Sequence, residues 1–576
     1  MKSRYLSLVI LLLSFSINIT AQDLEQEYID QWKAFYPSRA LGNGMHSSIY
    51  NYEDFSLPKV EQWLNYNISL LAKLSDTKSS YVSTNNIDAR LLKVQAQSEI
   101  DKWQRDVPHF NSLSLYASPI NSALDQILNA DFLIVPEKNQ LLCDRLKSIQ
   151  ALSLAALANL KQVDKAEAER SLRGLERIEK YLTGGLQEKI KTEGLKPACS
   201  DFEKEASKAA EQIRFLINHV IDQLLPEATE SSPIVGRVEY ARLLHLYTDS
   251  DLTSEQLSKM ALDEIQLVRK LIGEVSAEYL KEQYPNTPLP TDYHDLTRAA
   301  LDDMEKDAPI NAADYLQFWN ELAEAAIQFI EEHKIATLPK NNTLLIKTAP
   351  ESAGPAARIG WVSSAPPFDP NPITTLFLPS IPETLPKQEQ IDFWASFNKP
   401  FNRMIVIHEL LPGHYMQMKI SRETAHPVRL LFPYGTFTEG WATFTERVLL
   451  DVGWEKENKL TLLAHLRKRI ENANRAYTSV QVHTNGWTQE QVMEFSTNTS
   501  LVAPQFAKSL WGRLMSSPMQ LTSYFLGGAQ FTALLVAEKE RLGSQFNLTL
   551  FMDTIMKAGP IPIEEFNNIF SQTIIK

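Results

Sequence analysis

Cysteine is all but missing from this sequence: Cys143 and Cys199 are the only two in 576 residues. Two are too few for a cysteine-ligated structural zinc site, so any metal must be held by histidine and carboxylate. Their separation of 56 positions does not by itself establish a disulfide. Long basic runs are missing too, and the formal net charge is −13. That balance argues against nucleic acid or an anionic membrane as the main partner. A GxSxG nucleophile elbow and a glycine-rich phosphate loop are both lacking, which leaves serine-hydrolase and nucleotide-dependent readings without support. No repeat of fixed period and no low-complexity tract is present. Beyond the N-terminus, no stretch approaches the roughly 20 apolar residues needed to span a bilayer.

What is present at the N-terminus is an export pattern. Lys2 and Arg4 precede the apolar run Leu6 to Phe15, and a polar stretch then ends in Thr20-Ala21-Gln22. This reads as a signal peptide over residues 1–21, cleaved near Ala21, and places the protein in the periplasm or outside the cell. No cysteine sits near that point, which speaks against a lipid anchor. Cleavage removes two positive charges and takes the net charge from −13 to −15.

The mature chain reads as mainly helical. Residues 22–230 form an N-terminal helical region, with long periodic stretches from Ile87 to Val107 and from Leu142 to Leu182. Pro119 and Pro136 read as helix boundaries, and Ser200 with Glu203 reads as a capping box. The polar connection PEATESSP over 226–233 precedes a second region, 231–576, the two forming one continuous structure. Helices are expected over Arg237–Tyr247, Ser254–Tyr279 (capped by Thr253 with Gln256), Ala312–His333, Glu439–Asp451, Glu455–Tyr477 and Gln489–Phe495. Between Pro339 and Pro386 the texture changes. Asn342–Thr348 and Thr374–Leu378 read as strands of a small sheet whose edge could take up an extended peptide.

Chemistry concentrates in Phe401 to Ile420, FNRMIVIHELLPGHYMQMKI. This apolar, helical stretch carries His408, Glu409 and His414, which are costly to bury unless a partner such as a metal satisfies them. Zinc peptidases place two histidines four apart on one helix, with a glutamate beside the first as general base. Here the second histidine is six residues on. Six steps of a straight helix turn about 600°, roughly 120° off the starting face, so the rings could not share an ion. Pro412 and Gly413 offer the remedy, because one removes a helix bond and the other permits unusual dihedrals. The helix must bulge or break there.

With HE, two residues and PGH, followed by Glu439-Gly440-Trp441-Ala442, HTNGW and PMQLTSY in order, the chain resembles the bacterial domain of unknown function 885 family. The resemblance begins at FYPSRALGNG and covers nearly the whole mature chain. The motif is also similar to that of gluzincin peptidases, including dipeptidyl peptidases with a one-residue insertion in it. The resemblance implies a mainly α, zincin-like metallopeptidase fold: a large helical array with a small β-sheet beside the active-site helix. It further implies a zinc site of His408, His414 and Glu439. Glu446, seven residues on, would then support a ligand histidine, or exchange roles with Glu439. His483 and Tyr524 match family patterns and could stabilise an oxyanion, and Arg513 could anchor a substrate carboxylate. Each has a plainer alternative: a helix cap, a core tyrosine and a surface ion pair. The chain departs from the family at Tyr415, where a second histidine is common. It departs again at Ser479, where an aspartate usually precedes the later histidine, and at Leu514, where an aromatic follows the arginine. The remaining eight histidines, His465 among them, lack ligand spacing and read as structural or surface residues.

Together these features lead to the expectation of a secreted or periplasmic zinc metallopeptidase acting on short peptides. Zn²⁺ would be the cofactor and Glu409 the base for a metal-activated water. The alternatives are a metal-dependent amidase acting on another amide, such as cell-wall peptide, and a non-catalytic metal-containing binding protein.

Overall fold

The computed structural model describes residues 21–75, 86–230, 232, 234–341, 343–502 and 504–572. The proposed signal run, Leu6 to Phe15, lies outside the described residues. The described residues are 73% helical and include one three-stranded sheet, as the hydrophobic periodicity implies. No helix among the described residues is long and apolar enough to cross a membrane. Two units form: one from the residues up to Ala40 with Ser48–Val163 and Glu167–Pro226, the other from Leu41–Ser47, Asp164–Ala166 and Glu227 onward.

In the first unit, local signals set most boundaries. Asn86 starts the helix Ile87–Ile100 by accepting from the Ala89 amide. The stretch from 142 to 182 is not one helix. Val135–Asn159 stops where Leu160 turns extended, and Lys165–Lys180 follows. Pro136 sits in a first turn, where its missing N–H costs nothing. Pro119 lies within Ser114–Ser122 and marks no boundary. Asp201, one residue past the expected Ser200, caps Phe202–His219 through the Lys204 amide at 3.0 Å. Cys143 and Cys199 are joined in a disulfide. The core of this unit is aromatic, with Phe35, Tyr36, Phe55, Trp63 and Trp103 packed around the buried Glu99. Glu99 Oε2 accepts from the Tyr36 hydroxyl at 2.7 Å, Trp63 Nε1 at 2.8 Å and Trp103 Nε1 at 3.0 Å.

The second unit carries the site. Its helix α1 (Ser254–Gln283) begins at the expected box, in which Thr253 and Gln256 cap each other. The sheet runs β1 (Leu344–Thr348), β2 (Trp361–Ser363) and β3 (Thr374–Leu378) in spatial order β1-β3-β2. β1 is parallel to the central β3, and β2 is antiparallel to it. β2 has only three residues between proline-containing segments, too short for an alternation signal. The site helices follow: α2 (Lys399–Glu409), α3 (His414–Thr424), α4 (Gly435–Val452), α5 (Lys459–Asn485) and α6 (Gln520–Leu542). Ile265, Val268 and Ile272 of α1 form a core with Leu463, Leu466 and Ile470 of α5. Two helices extend beyond their expected limits. α4 starts at Gly435, which puts Glu439 in the second turn, away from the helix-dipole end that favours acids in a first turn. α5 runs on to Asn485, so His483 lies in its last turn, and Gly486 closes it at φ +70°.

Candidate metal centre

Helix α2 ends at Glu409, and the chain turns before α3. The amides of Leu410 and Leu411 both donate to Val406 O, at 2.9 and 3.2 Å, and the Gly413 amide donates to Ile407 O at 3.0 Å. The Leu411–Pro412 peptide is cis. Any Cβ on Gly413 would collide with the carbonyl oxygens of His408 and Ile407, so only glycine fits this turn. The helix is thus cut and restarted. His408 falls in the last turn of α2 and His414 is the first residue of α3. Their rings stand perpendicular with centroids 4.8 Å apart.

Helix α4 is fixed against this turn by the buried Trp441, whose Nε1 donates to Pro412 O at 2.9 Å. The tryptophan of one motif therefore holds the proline of the other. The glycine beside it has a separate task. Gly440 meets Gly527 of α6 so closely that a Cβ on either would strike the opposing backbone. This contact lets α6 bring Tyr524 alongside Glu439.

Glu439 Oε2 lies 3.3 Å from His414 Nε2 and 3.7 Å from His408 Nε2. Candidate ligand atoms of the three residues fall within 4.8 Å of one another. Glu439 Oε2 is buried and has no hydrogen-bond partner, and neither has His414 Nδ1. Buried polar atoms are rarely left so. A carboxylate oxygen turned toward two imidazole nitrogens, with no donor satisfying it, suits a cation bound among all three. Burial would raise the Glu439 pKa, but the two imidazoles hold it well below the usual carboxylate range.

Glu446 supports the cluster from the next turns of α4. Wholly buried, it places Oε1 2.7 Å from His408 Nδ1. Its Oε2 is 3.3 Å from His465 Nδ1, a charge contact without hydrogen-bond geometry. In the metal-free protein, burial disfavours the charged form of His408. The carboxylates of Glu439 and Glu446 outweigh it and raise its pKa to about 9. Glu446, despite burial, is lowered to about 2 by His408 and His465.

The other expected site residues divide. Glu409 is half-buried beside His408 and makes no hydrogen bond or ion pair among the described residues. The Tyr524 ring stacks parallel to that of His408 at 6.4 Å. Its hydroxyl accepts from Gln520 Nε2 at 3.2 Å, leaving its own proton to donate, and burial and then Glu439 raise its pKa. Arg513 is exposed and reaches Gln520 Oε1 at 3.3 Å, two hydrogen bonds from Tyr524.

His483 is not brought into the cluster. Its Nε2 pairs with Leu514 O at 3.0 Å and its Nδ1 accepts from the Val235 amide at 3.4 Å. With both ring nitrogens committed to backbone, it joins segments and has no proton to offer a substrate. Ser479 is bonded to Pro518 O at 2.7 Å and to the Tyr240 hydroxyl at 3.1 Å, with no bond to His483. His465, which lacks ligand spacing in the sequence, lies against Glu446 instead. The available signal was a polar stripe, His465, Lys468, Asn472 and Arg475, spaced by threes and fours along the helix.

The sequence profile of a family described as bacterial protein of unknown function, DUF885, matches residues 37–568. The chain belongs to this family. Among curated proteins, none matches it. Two solved structures similar to this DUF885 chain are a candidate lipoprotein of unknown function from Shewanella oneidensis and a candidate lipoprotein from Colwellia psychrerythraea. The first is 21% identical with a TM-score of 0.82, and the second 18% identical with a TM-score of 0.69. In both comparisons 96% of this chain and all of the other are covered. At these identities the likeness shows a shared fold.

Proposed function

We propose that this DUF885 protein is an exported, gluzincin-like zinc peptidase with a zincin-like fold that hydrolyses short peptides. The observation that carries the proposal is the buried, unpartnered Glu439 Oε2 facing His408 Nε2 and His414 Nε2. Two imidazoles and a carboxylate are the donor set that catalytic zinc takes, with a position left for water. A zinc ion bound there would supply the Lewis acidity that activates a water and polarises the scissile carbonyl. Glu446 holds the proton of His408 on Nδ1, which keeps the Nε2 lone pair available as a ligand. Glu409, with no protein partner to occupy it, takes the proton of the attacking water and delivers it to the leaving amine. The Tyr524 hydroxyl donates to the oxygen on which negative charge develops.

Export is supported by the apolar run Leu6 to Phe15, by the Cys143–Cys199 disulfide, a bond at home in oxidising compartments, and by the descriptions of the two similar structures. The test is metal analysis of the purified protein combined with a peptide-library digest by wild type and Glu409→Gln. Zinc should be present at one per chain in both, with kcat in the variant lower by about 10²–10⁴. Full activity in Glu409→Gln would remove the proposed mechanism.

A further inference from the structure

The polar stripe of α5 holds two cations beside the site that the proposed mechanism leaves unused. Lys468 and Arg475 are seven residues apart and so lie on one face, two turns from each other. Both reach the Tyr524 ring: Arg475 Cζ is 5.1 Å and Lys468 Nζ 5.8 Å from its centroid. Arg475 is 8% exposed, ion-paired with Glu471 and bonded to Asn472 Oδ1 at 3.2 Å. Lys468 differs. It is half-buried, and among the described residues no acceptor or carboxylate pairs with its ammonium, which has three protons to donate. Burial, and then the neighbouring Arg475, lower its pKa, with Glu471, Glu446 and Glu409 acting in the opposite direction. With no acceptor among the described residues, the ammonium is open to an anionic ligand in place of water. The Tyr524 ring also stacks on that of His408 at 6.4 Å, which ties the ammonium to the candidate metal ligands. The ammonium is thus within about 12 Å of the His408 ring, the reach of three to four extended residues.

Building on the peptidase reading, we infer that Lys468, seconded by Arg475, binds the free α-carboxylate of the substrate. The enzyme would then be a carboxy-terminal exopeptidase that releases a single residue or a peptide of two or three. Arg513, the other candidate for this task, is exposed and bonded to Gln520 instead.

The experiment uses the zinc-loaded mature protein and a library of heptapeptides, each made once with a free C-terminal acid and once as the amide. Products are read by mass spectrometry and kcat/KM is measured for both forms. The acids should be cut near their C-termini and preferred at least tenfold, as expected for a lost charge-assisted contact. Lys468→Met should bring the acid-to-amide ratio towards one, and Lys468→Arg should restore most of it. Zinc content and circular dichroism report whether each variant is folded. Equal cleavage of acids and amides by wild type would overturn the inference and leave the peptidase reading standing. So would an unchanged ratio in folded Lys468→Met. Cleavage of neither form would remove the peptidase reading and this inference with it.

Discussion

Glu99 in the first unit and Glu439 in the second each hold a carboxylate oxygen away from solvent, but the atoms around them differ in kind. Glu99 Oε2 is met by a tyrosine hydroxyl and two indole N–H groups, so its lone pairs are used and its charge is shared among donors. Glu439 Oε2 is met by two imidazole nitrogens at 3.3 and 3.7 Å with no hydrogen bond formed. The first arrangement is complete and stabilises an aromatic core. On the proposed reading, the second is completed by a cation between the oxygen and the two nitrogens. What separates the core carboxylate from the proposed metal ligand is the chemistry of its neighbours, since both are shielded from water.

The largest difference should appear on removing each side chain's particular role. Glu439→Ala should lower metal affinity well beyond the roughly 10–100-fold that losing a supporting residue costs, and peptidase activity should go with it. Metal titration and turnover assays on the folded variant check this. Glu446→Ala, which removes the partner of His408 Nδ1, should fall within that 10–100-fold range for metal affinity. Glu99→Gln should act on the other half of the comparison. It should lose about 1–3 kcal/mol of stability in denaturant unfolding while the folded fraction keeps its metal and its activity. A loss of metal in Glu99→Gln would erase the distinction.

The smallest effect is one of pH. His408 is raised to about 9 from 6.5 in the metal-free protein, so its contribution is complete below pH 6.5 and fades as pH rises through 9. Glu446 is lowered to about 2 from 4.5, so its contribution is present above pH 4.5 and fades as pH falls towards 2. These two groups therefore favour the metal-free fold most between pH 4.5 and 6.5. Because a ligand nitrogen must give up its proton, the rise in Tm on adding zinc should grow from pH 6 to pH 9. Thermal melts with zinc and with chelator measure it, and a rise that shrinks with pH would contradict the proposed ligand set.

Much of the site was legible in the sequence because its chemistry is local. The six-residue spacing of His408 and His414 required an interruption at Pro412-Gly413, and the chain turns there. The long helices, the box at Thr253–Gln256 and two of the three strands follow from periodicity and side-chain caps. What was hidden depends on contacts distant in sequence. His465 gains meaning only when α5 meets Glu446. His483 loses its expected role because the backbone of Val235 and Leu514 closes on both its nitrogens. The bond from Trp441 to Pro412 O, 29 residues apart, is invisible in either motif alone. Lys468 and Arg475 gain a shared neighbour only when α6 brings Tyr524 against them.

The central claim is that Glu439, His408 and His414 together hold one metal ion. Titrating Zn²⁺ into chelator-treated wild type and Glu439→Ala by calorimetry tests it most directly. The account predicts one tight site per chain in wild type and its loss or severe weakening in the folded variant. Equal binding by both proteins, or none by wild type, would contradict it.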